Sequence, residues 1–253
     1  MSAHALTQRA SARRSITHRL KPRVAGRTTR RYRANLFQAY VLGAALAFAW
    51  LTVLARRQPY FALDLKIGQA VQRFDAHWSH ALMHLVSLPG YPPQVYALVL
   101  LLNCWLYRVG LKWEALTATL SIVGMGVVGL AVKMFVNRPR PLPHLVRVRT
   151  SLDGGTLSFP AGHVQTYISF VGFLGFLSYS LIKASWQRTL TLLTSFGLIG
   201  LIGPSRIHAG EHWPSDVLGA YFLGSIWLWL TIEFYRWGKR RFFTEQPLAP
   251  ESS

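Results

Sequence analysis

Acidic side chains are scarce in this chain, with nine Asp and Glu in 253 residues against 28 Lys and Arg. A site for a hard divalent cation needs several oxygen ligands, and the sequence does not gather them. Cysteine is nearly absent too. Cys104 stands alone, which excludes a disulfide framework and a thiolate metal cluster. Lying inside an apolar run, it reads as a small buried hydrophobe. The formal net charge of +19 calls for an anionic partner: a phospholipid surface, a phosphate group or nucleic acid.

What the chain has in abundance is apolar length. It is 51% hydrophobic with a mean hydropathy of +0.24, too apolar for an ordinary soluble domain. Six near-continuous apolar runs, at 37–54, 92–107, 113–134, 164–182, 190–207 and 217–235, have roughly the length of a spanning helix. Trp50, Tyr91, Trp105, Tyr107, Trp113, Trp186, Trp213 and Trp237 fall near their ends, as an interfacial belt requires. Between the first two runs, Ile67, Val71, Phe74, Trp78, Leu82 and Leu85 recur at helical spacing among polar residues, which predicts one or two amphipathic helices lying at the interface over 64–86. The expected fold class is therefore all-α: a polytopic membrane protein with a six-helix transmembrane bundle and an outward amphipathic helical segment.

Residues 1–34 hold ten basic side chains and no acidic one. The composition is that of a disordered tail. With a membrane segment following at once, it reads as an anchor on an anionic leaflet and an orientation signal in preference to a nucleic-acid arm. The first run is expected to be retained, since Leu54-Ala55-Arg56-Arg57 makes a poor signal-cleavage site. The expected division is a basic cytoplasmic tail at 1–34, a six-span domain at 35–237 and a cytoplasmic C-terminal tail at 238–253. Both termini are then inside, and the loops after the first, third and fifth spans face outward.

Two patterns resemble motifs of other chemistry. Gly124-Met125-Gly126-Val127-Val128-Gly129 matches a dinucleotide fingerprint in form, but it lies within an apolar helix and not after a strand, so close helix packing accounts for it better. Gly197, Gly200 and Gly203 read the same way. His77, His80 and His84 have metal-face spacing, as do His208 and His212, yet no carboxylate or thiolate completes either set. No metal ligand is assigned.

Three polar clusters sit at the ends of apolar runs, where polar groups are costly and functional. The first holds Lys133 and Arg140, which can converge from a helix end and a proline-bounded loop. The second, Ser158-Phe159-Pro160-Ala161-Gly162-His163, opens a helix. Ser158 or a neighbour can cap it, and the N–H groups around Gly162 form an anion site that no side chain blocks. The third runs from Ser205 and Arg206 through His212 to Asp216. His212 and Asp216 are four residues apart, so the carboxylate can orient the imidazole and leave its other nitrogen nucleophilic. Arg206 offers a planar fork for phosphate oxygens. All three clusters fall on outward loops, and fixed cations with two imidazoles suit phosphoryl transfer.

Lys133-x6-Arg140-Pro141, Pro160-x-Gly162-His163 and Ser205-Arg206-x5-His212-x3-Asp216 together resemble the three-part signature of the type 2 phosphatidic acid phosphatases. These are integral membrane lipid phosphate phosphatases, related in their site to vanadium haloperoxidases. The resemblance implies six helices, an outward site, and no cofactor. It implies His212 as a nucleophile that becomes phosphohistidine, Asp216 as its orienter and His163 as acid and then base. Lys133, Arg140, Arg206 and Gly162 would bind phosphate. One position departs: Ala161 stands where the family has Ser, removing one hydroxyl from the phosphate site. The expected substrate is a lipid phosphate or diphosphate in a bacterial inner membrane, with membrane lipids and no nucleic acid as partners. Phosphatidic acid, phosphatidylglycerol phosphate, undecaprenyl diphosphate and a lipid A phosphate all fit. A phosphotransferase using the same site, and a non-catalytic anion-binding or transport protein, remain as alternatives. Oligomeric state is not legible.

Overall fold

The computed structural model describes Tyr32, residues 35–149 and residues 157–243. The tail expected at 1–34 thus lies outside the described residues except for Tyr32, as do 150–156 and 244–253. By contacts the chain divides into Met1–Ala44 and Ala45–Ser253. Of the first unit, the described residues are Tyr32 and the opening part of helix α1 (Asn35–Arg57).

The other helices are α2 (Ala62–Arg73), α3 (His77–Ser87), α4 (Gln94–Arg108), α5 (Lys112–Val136), α6 (Gly162–Leu181), α7 (Trp186–His208) and α8 (Pro214–Phe242). No strand occurs among the described residues beyond an isolated bridge between Pro139 and Leu157. Five helices, α1 and α5 to α8, are long and apolar enough to cross a membrane. The expected second span, at 92–107, is a helix of nearly that extent but too short to cross alone. α4 has 15 residues, about 22 Å at the helical rise, against a hydrocarbon core of about 30 Å. It qualifies only together with the preceding segment, His77–Gly90, as one span bent by 57°. Part of the stretch predicted to lie flat at the interface therefore falls in a helix pair with the length and composition of a bent span or a re-entrant loop.

α2 is polarised the opposite way from a soluble amphipathic helix. Its buried stripe is Asp64, Gly68 and Gln72, while Leu63 and Ile67 are exposed. Lipid is as apolar as Leu, so the inward face is free to be polar. Gln72 uses that position to join three segments. Its Nε2 donates to the carbonyls of Arg147 (2.8 Å) and His208 (3.2 Å), and its Oε1 accepts from the Arg147 N–H at 2.9 Å. The same physics corrects the reading of Cys104, which is exposed on α4: an apolar setting in a membrane chain does not bury a side chain within the protein.

The glycine reading holds in part. A Cβ at Gly124 would lie 2.4 Å from the Trp227 ring, and one at Gly129 would lie 2.6 Å from Gln165, so α5 closes on α8 and α6 at these points. Gly203 likewise admits Val217 of α8, but Gly197 and Gly200 have no neighbour within 4 Å and are not packing glycines. Inside α7, Pro204 cannot donate to the Gly200 carbonyl; the Tyr221 hydroxyl donates to the neighbouring Ile199 carbonyl at 2.6 Å and lies 3.5 Å from that of Gly200.

α5 ends at Asn137, whose left-handed backbone (φ 51°) is one that Asn tolerates. Its N–H returns to the Lys133 carbonyl at 2.8 Å. That turn delivers the chain into Arg138-Pro139-Arg140. Ser158 N–H then donates to the Arg138 carbonyl at 2.8 Å, which joins the first cluster to the second. Ala161 N–H donates to the Asp216 carbonyl at 3.2 Å, which joins the second to the third. A π-helical turn at Tyr167–Val171 follows within α6.

Candidate active site

Asp216 lies in the first turn of α8, where its carboxylate accepts the Trp213 N–H at 2.8 Å and ties down the helix start. It is fully buried, and its other bonds are charged or short. Arg138 Nη1 donates to Oδ1 at 2.6 Å, and Ser158 Oγ donates to Oδ2 at 2.5 Å. His212 Nδ1 is 3.7 Å from Oδ2, beyond hydrogen-bond range, and 3.4 Å from Ser158 Oγ. The predicted pair is thus brought together, with Ser158 at its side. Burial pushes the His212 imidazole down to about 4; Asp216 pulls the other way, and Lys133 and Arg140 add to the lowering. The ring is neutral at physiological pH and hence able to act as a nucleophile.

The group that holds Asp216 is Arg138, a residue to which the sequence reading gave no role. Its side chain is fully enclosed between two carboxylates: Nη2 donates to Asp64 at 2.8 Å, Nη1 to Asp216 and Ser215, and Nε to the Pro59 carbonyl. Asp64 in turn accepts the Ser215 N–H at 2.8 Å and hydroxyl at 2.7 Å. The chain Asp64–Arg138–Asp216 therefore connects the start of α2 to the start of α8 beneath His212.

Lys133, Arg140, Gly162, His163 and His212 all border one cavity of about 590 Å³. Lys133 Nζ donates to the Leu157 carbonyl at 3.1 Å. A Cβ at Gly162 would come no closer to the protein than 4.0 Å, at Lys133 Cε, so the space beside Gly162 is open to a ligand. The His163 ring stands edge-on to Tyr91 with centroids 4.8 Å apart, and its Nε2 has no protein hydrogen-bond partner.

Arg206 is placed differently. It is fully buried and does not border the cavity; it is screened by Tyr91 and Glu211, which do. Glu211 forms ion pairs with Arg206 and, at 3.8 Å, with Arg140. Tyr91 accepts from both Arg206 terminal nitrogens at 3.2 Å and donates to Glu211 at 3.3 Å. The sequence reading gave Glu211 no partner and Tyr91 only an interfacial place, whereas both belong to the site. Ala161 is fully buried in an apolar cluster with Val86, Val164 and Ile202, and does not border the cavity.

The histidines of the 77–84 set are dispersed. His77 is exposed, His80 lies against Asp75 and Arg149, and His84 borders the cavity. Arg149 and His80 hold the Asp75 carboxyl well below the usual carboxylate range.

The polar end of the cavity continues into an apolar groove between α4 and α5, lined by Val95, Tyr96, Ile122, Met125 and Leu130. Tyr96 and Leu130 are more than half exposed, so the groove opens on the side of the bundle that faces lipid.

Residues 114–240 match the sequence model of the PAP2 superfamily. In fold the chain is similar to the first transmembrane PAP2-type phosphatidylglycerolphosphate phosphatase from Bacillus subtilis. The TM-score is 0.67 at 20% identity, covering 79% of this chain and 98% of that one. It is also similar to LpxE from Aquifex aeolicus, with a TM-score of 0.52 at 22% identity over 68% of this chain and 96% of that one. No curated protein matches the chain by sequence.

Proposed function

Because the chain belongs to the PAP2 superfamily, we propose that it is a membrane phosphatase that hydrolyses a lipid phosphate or diphosphate through a phosphohistidine, without a divalent metal. The observation that carries this reading is the cavity itself. One end presents the imidazoles of His163 and His212 with the cations of Lys133 and Arg140, and the other is an apolar groove open to the bilayer. A water-soluble phosphate ester needs only the first end; a lipid phosphate needs both.

In the first step the free ring nitrogen of His212 attacks phosphorus and the bond to the lipid oxygen breaks. Protonated His163 gives its proton to that oxygen, and the lipid alcohol leaves. In the second step His163, now neutral, takes a proton from water. The water oxygen attacks phosphorus, the P–N bond breaks, and inorganic phosphate leaves with His212 restored. Asp216 stabilises the imidazolium character that develops on His212. Lys133, Arg140 and the N–H groups at Gly162 meet the charge on the phosphoryl oxygens. Arg206 joins them when substrate displaces Glu211 from between them. The site faces the outside of a bacterial inner membrane, with both termini in the cytoplasm.

The test is phosphate release by purified protein in detergent from phosphatidic acid, phosphatidylglycerol phosphate, undecaprenyl diphosphate and a lipid A phosphate. At least one should be turned over, with His212→Ala inactive, vanadate inhibitory and EDTA without effect. Full activity of His212→Ala would sink the mechanism, and strict Mg²⁺ dependence would sink the cation account.

A further inference from the structure

Gln165 is a buried carboxamide on the wall of the same cavity, and neither the motifs nor the mechanism above uses it. It is 3% exposed, its Nε2 has no hydrogen-bond partner, and it borders the cavity from α6. Opposite it on α5 is Gly129, where a Cβ would lie 2.6 Å from Gln165 Oε1. The absent side chain at Gly129 is what lets the amide reach the cavity wall.

An amide N–H that the protein leaves unpaired within a membrane span is costly, since hydrocarbon cannot satisfy it. Its depth indicates what does. Gly129 is one turn of α5 below Lys133, about 6 Å further from the phosphate end. On α5 the wall beyond it is Met125, Gly126 and Ile122, which offer no polar side chain; Thr166, next to Gln165 on α6, and Tyr96 of α4 also border the cavity. Gln165 therefore marks the boundary between the part of the cavity that suits a phosphate and the part that suits hydrocarbon. In a glycerolipid that boundary is occupied by the ester carbonyls of the acyl chains. In a prenyl phosphate it is occupied by hydrocarbon alone.

We propose that Gln165 is a specificity-determining residue whose carboxamide donates to an acyl ester carbonyl, so that the substrate class is a phosphorylated glycerolipid with ester-linked chains. The proposal rests on the lipid phosphatase reading.

It is tested with three monophosphates: a diacyl phosphatidic acid, its diether counterpart lacking the carbonyls, and a polyprenyl phosphate. The wild-type protein should favour diester over diether in kcat/KM by about three- to tenfold, the worth of one neutral hydrogen bond. Gln165→Met, of similar length, should erase that preference, bringing the diester-to-diether ratio of kcat/KM to about one. Equal diester and diether rates in the wild type would overturn the proposal without any variant, and so would a preference that survives in Gln165→Met. In either case, turnover of the lipids would leave the phosphatase reading standing; absence of phosphate release from all three would remove both.

Discussion

Arg138 shows how the site is held, because it carries one positive charge between two buried carboxylates, Asp64 and Asp216. Removing one partner of a desolvated pair leaves an uncompensated charge, at about 3–5 kcal/mol. Here one deletion strands two. Arg138→Met should therefore lower thermal stability in detergent by at least that much and abolish activity. Arg140→Met, at the cavity wall, should lose activity with little loss of stability. Equal stability losses in the two variants would refute the division of labour between them. His212 makes a second residue-scale prediction. Its folded pKa, about 4, lies below the ordinary value of 6.5, so between those limits only the unfolded chain takes up the proton. Stability is complete above pH 6.5 and falls as pH drops towards 4, at about 1.4 kcal/mol per unit. Unfolding of wild type and of His212→Asn, compared across that window, should diverge by about 3 kcal/mol to the wild type's disadvantage at the acid end. Parallel curves would show that the imidazole is not buried in its neutral form.

At the scale of the element, α5 carries one packing glycine and one cavity glycine two residues apart. Gly124→Ala drives a methyl into the Trp227 ring, whose Nε1 donates to the Ser121 carbonyl at 2.8 Å, and overpacking of this kind costs about 1–3 kcal/mol. Gly126→Ala meets nothing within 4 Å and should leave stability unchanged. Thermal melts of the two variants decide it, and a larger loss for Gly126→Ala would mean that α5 is rotated from the position described. The spans of α5 to α8 were legible because a long apolar run has few alternatives. The break between α3 and α4 was not, since residues 88–93 interrupt the pattern too briefly to separate a bent span from an interfacial helix followed by a full one. The buried stripe Asp64, Gly68, Gln72 was present at helical spacing, but a rule learned from water assigns the apolar side to the interior. The motif histidines and cations were picked out by their spacing together with the family resemblance, and of them Lys133, Arg140, His163 and His212 border one cavity while Arg206 does not. Arg138, Tyr91 and Glu211 were not, because their meaning lies in partners distant in sequence, as with Arg138 and Asp64, separated by 74 positions.

Across the whole molecule, the shortage of acids becomes an organising constraint. Among the described residues Asp64, Asp75, Glu114, Glu211, Asp216 and Glu233 are each in an ion pair. Asp64, Asp75, Glu211 and Asp216 sit at the end that holds the candidate site. Glu114 holds Lys239 at 2.7 Å and Tyr235 at 2.9 Å at the other end, where α5 begins and α8 finishes. The basic residues from Arg56 to Arg241 are shared almost evenly between the ends, so they do not orient the bundle. The proposed orientation rests on the ten of residues 1–34, because a charge-dense lead before the first span resists translocation. On that proposal the lead and the 183–185 connection are expected inside, and the 58–61 connection and the site outside. Cys104 is the sole thiol and is exposed, so the test begins from Cys104→Ala. In that background Gln58→Cys should react with a membrane-impermeant maleimide in cells with a permeabilised outer envelope, and Ala184→Cys only after lysis. The reverse pattern would put His163 and His212 in the cytoplasm, and the proposed substrate would then have to be a lipid phosphate of the inner leaflet.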